Sequence, residues 1–248
     1  MQDTHIWHQF HLHGQKVVLF CLLLITCFFS EAEAQLVKTD NLPNYDNRWL
    51  HYGFSIGMHS SSYRLQYNDN FTSPEFDSLH SIMPSNSFGF SLGLIANFRL
   101  AEFLDLRVTP EVVFYENKLD YNYIRAGQSI SEEQTVETTF VEFPVLLKYK
   151  SMRRGNTRMY LIGGIEPGIE ATGKKKDQND ESKLLVNGTN LSAQVGFGLD
   201  IYFPLFKFAP EIRFSRGLLN MKNEKENPYG APIQQLATNT VTLYLLFE

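Results

Sequence analysis

Residues 87–98 read SFGFSLGLIANF. Phe88, Phe90, Leu92, Leu94, Ala96 and Phe98 fall on one side of a period-two pattern. Ser87, Gly89, Ser91, Gly93 and Asn97 fall on the other, and Ile95 is the one exception. Such alternation specifies a β-strand with one apolar face. The fold depends on what that face meets: a protein interior, or an apolar surrounding.

Seven further segments alternate in the same way, at Leu50–Met58, Phe103–Glu116, Glu137–Lys150, Thr157–Thr172, Asn190–Phe203, Lys207–Gly217 and Asn239–Glu248. Asn190–Phe203 is the cleanest, with Leu191, Ala193, Val195, Phe197, Leu199, Ile201 and Phe203 set against Ser192, Gln194, Gly196, Gly198 and Asp200. No helical periodicity competes after residue 34. The connections alternate in length. Long ones are expected at residues 60–87, 117–136, 173–189 and 218–238, and short ones at RLAE, SMRRGN and PLF. An even number of strands joined by short turns on one side and long loops on the other is the layout of an outer-membrane barrel, with both termini on the short-turn side. The lysine run Lys174–Lys176 reads as a wet loop tip.

A net charge of −5 gives no basic footprint for nucleic acid. Aromatic content is 14%, with 20 Phe, which suits strands and interfaces. The N-terminus is set apart. Lys16 is followed by the apolar run VVLFCLLLITCFFS, and EAEA supplies the small-x-small pattern at Ala32 and Ala34. This reads as a signal peptide over 1–34, cut after Ala34, with a rival lipoprotein reading at Cys27. A short periplasmic segment over 35–49 and a barrel domain over 50–248 follow. Both cysteines, Cys21 and Cys27, lie in the signal, so disulfides, Cys-based metal sites and a cysteine nucleophile are excluded from the remainder.

Three features turn the apolar faces outward. Most strands span 10–14 residues; a tilted membrane strand needs about 9–11 and soluble strands run about 5–6. The polar faces are built of Gly, Ser and charges, which suit a narrow lumen. Aromatics gather at the short-turn ends: Trp49, Phe98, Phe103, Tyr149, Phe203, Phe206 and Phe247. They form an interfacial girdle, and TVTLYLLFE has the form of a closing strand. The expected fold is all-β, an eight-stranded antiparallel transmembrane β-barrel of outer-membrane type. Pro110, Pro144, Pro167 and Pro210 fall within strands, where a bulge or an unpaired carbonyl is expected near each.

By parity, Arg107, Glu111, Glu142, Lys148, Glu166, Glu170, Asp200, Glu211 and Arg213 point inward. The reading is a structural charge network filling a barrel too narrow for an aqueous pore. Histidines after the signal are His51, in the first strand, and His59 and His80, in the first loop. No His-x-x-x-His spacing appears, and no enzyme, cofactor, metal or small-molecule substrate is expected.

The stretches NLPNYDNRWLHYGFSIG, DSLHSIMPSNSFGFSLGLIANFRL, FLDLRVTPEVVFYENKLDY, VEFPVLLKYKS, YLIGGIEPG and APEIRFSRGLLN occur in this order. Together they resemble the PorT family of Bacteroidota outer-membrane proteins. The resemblance implies a role in protein export. That role is as a component or assembly factor of the type IX secretion system, linked in some species to gliding, with outer-membrane lipid and other secretion-system proteins as partners. It supplies no catalytic residues. The long segment before Lys16 departs from a typical signal and puts the translation start in doubt. The alternative is a stand-alone surface barrel for adhesion, defence or envelope stability.

Overall fold

A computed structural model of the chain describes residues 40–125, 127–171, 184–223 and 228–248. The signal-peptide reading over 1–34 and the lysine run Lys174–Lys176 lie outside the described residues. Eleven strand segments form one antiparallel sheet: β1 (Leu50–Tyr67), β2 (Leu79–Ser85), β3 (Ser87–Arg99), β4 (Leu104–Val108), β5 (Glu111–Arg125), β6 (Gln128–Glu142), β7 (Val145–Lys150), β8 (Thr157–Glu170), β9 (Thr189–Tyr202), β10 (Lys207–Gly217) and β11 (Ile233–Phe247). The sheet closes on itself, because β1 pairs with β3 on one side and with β11 on the other, and β8 pairs with β9.

The segment count is eleven rather than the expected eight, and three interruptions account for the difference. β2 continues into β3 across Asn86, β4 into β5 across Thr109–Pro110, and β6 into β7 across Phe143–Pro144. Each joined pair shares a neighbour: β2 and β3 both pair with β5, β4 and β5 with β3, β6 and β7 with β8. Joined end to end, the segments make eight crossings.

Proline causes two of the interruptions. The Leu94 N–H donates to the Pro110 carbonyl (2.9 Å), Thr109 N–H to Pro144 (3.1 Å) and Phe143 N–H to Pro167 (2.9 Å). No return bond forms, because proline has no N–H. The three prolines thus lie in a row across neighbouring strands, each taking one bond and returning none. The register holds across them, with Gly93↔Glu111 followed by Ala96↔Val108, and Glu142↔Gly168 by Val145↔Ile165. At Pro210 the ladder to β9 likewise skips between Phe208↔Ile201 and Glu211↔Gly198. No residue is inserted at any of the four sites. The extra residue sits at Asn86, where five steps from Ser85 to Phe90 face four from Lys118 to Phe114.

Exposure fixes which face is inside. On β3, Phe88 is 83% exposed and Leu94 65%, whereas Ser91 is 1% and Ile95 2% exposed. Large apolar side chains outside and small polar ones inside invert the order of a soluble protein and match a barrel wall in lipid. The pattern then reverses partway up. Along β1 the outward residues run Tyr52, Phe54, Ile56 and Met58, all exposed, and then Ser60, Ser62 and Arg64. The inward residues run His51, Ser55, His59 and Ser61, and then the buried Tyr63. Along β5 the outward face changes from Val112 and Phe114 to Glu116, Lys118 and Asp120, while the inward face changes from Glu111 to Leu119 and Tyr121. Where the surroundings change from lipid to water, the wall reverts to the polarity of a soluble protein. Tyr63, Leu79, Leu119, Tyr121, Val136 and Leu236 there form an apolar core, joined by Leu184 and Val186 from the loops.

This upper wall replaces much of two expected loops. β1 runs to Tyr67, and β5 and β6 form one long hairpin through residues 117–136, turning at Gly127 with φ 74°. A positive φ there is the conformation glycine adopts without strain. Below, the turns at 100–103, 151–156 and 203–206 are short, and Trp49–Phe98 and Phe203–Phe206 pair at 6.1 and 5.0 Å between ring centroids.

Leu92→Arg should destabilise the assembled barrel by about 2–4 kcal/mol, the cost of a cation on the lipid face near mid-depth. Ser91→Leu should cost about 1–3 kcal/mol by overpacking the interior. Urea unfolding in lipid vesicles reads both, and normal assembly of Leu92→Arg would place that face elsewhere.

Candidate functional site

The inward faces of the lower wall bring charged side chains from all sides into one interior. Arg107, Lys148, Asp200, Glu211, Arg213, Glu111, Glu142 and Glu166 are each at most 3% exposed. Glu170, at the top of β8, is only half-buried. Parity reasoning left out Asp105, Lys150, Lys207 and Glu248. Asp105, Lys150 and Lys207 are buried, and the Glu248 side chain is fully so. Among the described residues the barrel interior thus holds seven carboxylates, Asp105, Glu111, Glu142, Glu166, Asp200, Glu211 and Glu248, and six bases, Arg107, Lys148, Lys150, Lys207, Arg213 and Arg158, the last paired with Asp46 at the lower mouth.

The bases lie mostly in the lower half and are paired there. Lys148 Nζ donates to both Asp200 oxygens at 2.8 Å, and Lys207 Nζ reaches Glu248 at 2.9 Å. Arg107 bridges Glu211 (2.9 Å) and Glu248 (3.1 Å). Lys150 pairs with Asp105 at 2.6 Å, and the same carboxylate accepts from Asn97 Nδ2 at 2.8 Å. Tyr160 donates to Glu211 at 2.6 Å and offers its ring face to Lys148 at 3.7 Å. Arg213 joins Glu211 and lies 4.1 Å from the Tyr244 ring centroid. Desolvated charges are tolerated when paired and hydrogen-bonded. This layer pairs each of its bases with a carboxylate, although Arg213 engages Glu211 through Nε while its two terminal nitrogens find no hydrogen-bond partner among the described residues.

Above it lies a carboxylate cluster. Glu111, Glu142 and Glu166 each offer an oxygen within 4.8 Å of the others. Tyr244 donates to Glu111 (3.0 Å), Tyr115 to Glu142 (3.2 Å), and Gln194 and Ser215 to Glu166 (2.5 and 2.9 Å).

The segment below the barrel closes the short-turn end. Tyr45–Asn47 makes one 3-10 turn. Both Arg158 terminal nitrogens grip the Asp46 carboxylate at 2.9 and 3.0 Å, and Tyr202 donates to it at 3.1 Å. Arg153 donates to the carbonyls of Asn41 and Leu42 and stacks on Tyr202 at 3.7 Å. Tyr45 stacks on His51 at 4.1 Å and donates to Glu248 at 3.3 Å. Burial raises the Asp46 carboxyl, but Arg158, the Tyr202 hydrogen bond and Arg153 outweigh it and hold it below its ordinary value of 3.8.

Two stretches, GFSIG (Gly53–Gly57) and GFSLG (Gly89–Gly93), spell G-x-S-x-G. A nucleophile elbow needs that pattern on a strand-to-helix turn. Here Ser55 and Ser91 sit within β1 and β3, buried and paired strand to strand. The spelling comes from alternating small inward residues. Gly57 shows why they are small: a Cβ there would lie 2.3 Å from Ser91 Oγ. His59 belongs to β1 and is 3% exposed, and His80 belongs to β2 and is exposed, so neither sits in a loop.

A folded-state carboxyl held low gives stability that is complete above its unfolded value and is lost as pH falls through the lower folded one. Exchange protection of residues 40–49 should therefore be full above about pH 4 and fade below it. Asp46→Asn should remove that pH dependence. Within the barrel, Lys148→Met should cost about 3 kcal/mol, the low end for a broken buried pair, because Asp200 keeps only Lys207 at 3.7 Å. Lys148→Met with Asp200→Leu should cost less than the two single changes together, as a double-mutant cycle in urea would show.

The family described as outer membrane protein beta-barrel domain matches residues 34–223. Among solved structures, Neisserial surface protein A is 11% identical, with 80% of this chain and 98% of that chain covered and a TM-score of 0.37. OprG from Pseudomonas aeruginosa is 11% identical, with 80% and 90% covered and a TM-score of 0.40. Ail, the attachment invasion locus protein of Yersinia pestis, is 11% identical, with 79% and 96% covered and a TM-score of 0.32. No curated protein matches the chain. The family match spans the greater part of a chain whose sheet closes around charges and turns its apolar side chains outward: the chain belongs to the outer membrane protein beta-barrel domain family and is a protein of the outer membrane.

Proposed function

We propose that this barrel is a non-enzymatic accessory of protein export, a component or assembly factor of the type IX secretion system, delivered by a cleaved signal peptide. The observation that carries the reading is the filled interior. Paired charges occupy the lower barrel, an apolar core occupies the upper end, and the segment around Tyr45 and Asp46 covers the lower mouth. A barrel closed in this way works through its surface. The resemblance of its ordered stretches to the PorT family supports export as the process served. The surface that fits a periplasmic partner is the short-turn end, where Asn41–Asp46 is held against Arg153, Asn156 and Arg158.

The second reading is a stand-alone surface barrel for adhesion, defence or envelope stability. The β5–β6 hairpin favours it. Its outer half carries Glu132, Glu133 and Glu137 on exposed positions, with Ile124 and Ile130 exposed near the tip.

Deleting the gene should block release of proteins that carry a C-terminal type IX secretion domain, and these should accumulate in the periplasm. Normal secretion in the deletion strain would end the export reading. Loss of host-cell or surface attachment with secretion intact would establish the second.

A further inference from the structure

We propose that Glu111, Glu142 and Glu166 form a buried site for one hard divalent cation, with Ca2+ the best fit. The three carboxylates come from β5, β6 and β8, and their nearest oxygens lie within 4.8 Å of one another. Oxygen ligands at about 2.3–2.6 Å from Ca2+ stand up to about 5 Å apart across the ion. Mg2+ demands a strict octahedron at about 2.0–2.1 Å and dehydrates reluctantly, whereas Ca2+ accepts irregular sets of carboxylate and carbonyl oxygens. All-oxygen donors also disfavour softer transition metals.

A second observation points to a ligand. The Gln194 carboxamide is 6% exposed and its nitrogen is bonded to Glu166, yet its carbonyl oxygen receives no donor. Ser91 is 1% exposed, and its hydroxyl is turned toward Glu111 without reaching hydrogen-bond geometry. Buried oxygens are normally satisfied. These two flank the carboxylates and suit additional cation ligands. Tyr244 and Tyr115 hold Glu111 and Glu142 in place.

The interior charge agrees. With Arg158 set aside because Asp46 meets its charge at the lower mouth, seven buried carboxylates face five buried bases among the described residues, an excess of two negative charges. Among the described residues neither Glu142 nor Glu166 has a base within salt-bridge distance, and Arg213 is bound to Glu211 beneath. One divalent cation would bring the barrel interior to neutrality. The rival state is a set of carboxyls sharing protons, and metal content separates the two.

The test uses the protein purified from membranes into zwitterionic detergent, free of lipopolysaccharide. After dialysis against Ca2+, elemental analysis should find one Ca2+ per chain. EGTA should remove it and lower the melting temperature. Glu142→Gln should bind Ca2+ at least tenfold more weakly and melt alike in Ca2+ and EGTA. If that variant does not assemble, Glu166→Gln is measured in the same way. Two results would overturn the proposal. One is wild-type protein without stoichiometric metal that melts alike in Ca2+ and EGTA. The other is undiminished Ca2+ affinity in the variant, which would place the ion elsewhere.

Discussion

In hydrocarbon there is no water to satisfy a backbone N–H or C=O, and each unsatisfied group costs several kcal/mol. Closure of the sheet answers that constraint, and the rest of the molecule follows from closure. A ring of eight crossings is narrow, so its inward faces need small residues and a few long polar ones. Gly57 and Gly93 are forced on the inner wall in this way: a Cβ on Gly93 would lie 2.8 Å from both the Ser55 hydroxyl and the Glu111 Cβ. The proline row is the exception that the ring absorbs. Each proline takes a bond through its carbonyl and keeps register, so one donor is lost per site while the circuit stays shut.

The charged interior is the second consequence. With the apolar side chains committed to lipid, the inside must be filled by what remains. Removing a single partner from such a network leaves a naked charge in a low-dielectric space, so its members are energetically tied. Arg107 is the clearest case, since its guanidinium joins a carboxylate of β10 to the Glu248 carboxylate beyond β11. The network thereby links sequence positions far apart.

Much of this was legible in the sequence. Strict alternation in SFGFSLGLIANF assigned the two faces, and even the misplaced Ile95 follows its parity inward, where it joins a small apolar cluster. Parity also brought Arg107, Lys148 and Glu211 to the interior. It stopped short at strand ends. Lys150, Lys207 and Glu248 share the inward phase but lie at the last or first residue of a strand or just beyond it. The pairings themselves were not legible, because who meets whom across the lumen depends on the stagger around the whole ring. The upper wall was misread for a different reason. In ENKLDYNY Glu116, Lys118, Asp120 and Asn122 face out while Leu119, Tyr121 and Tyr123 face in beside the buried Asn117, the reverse of the polarity below, so the strand looked like a loop.

The grip on Asp46 also sets an order of events. Its partners come from β8 (Arg158), from the turn after β7 (Arg153) and from the end of β9 (Tyr202), and the neighbouring Tyr45 meets Glu248, which follows β11. None of these groups stands in position until strands from the second half of the chain have been laid down. The residues translated before the first strand are therefore among the last to settle. A docked N-terminal segment is thus a signature of a finished ring.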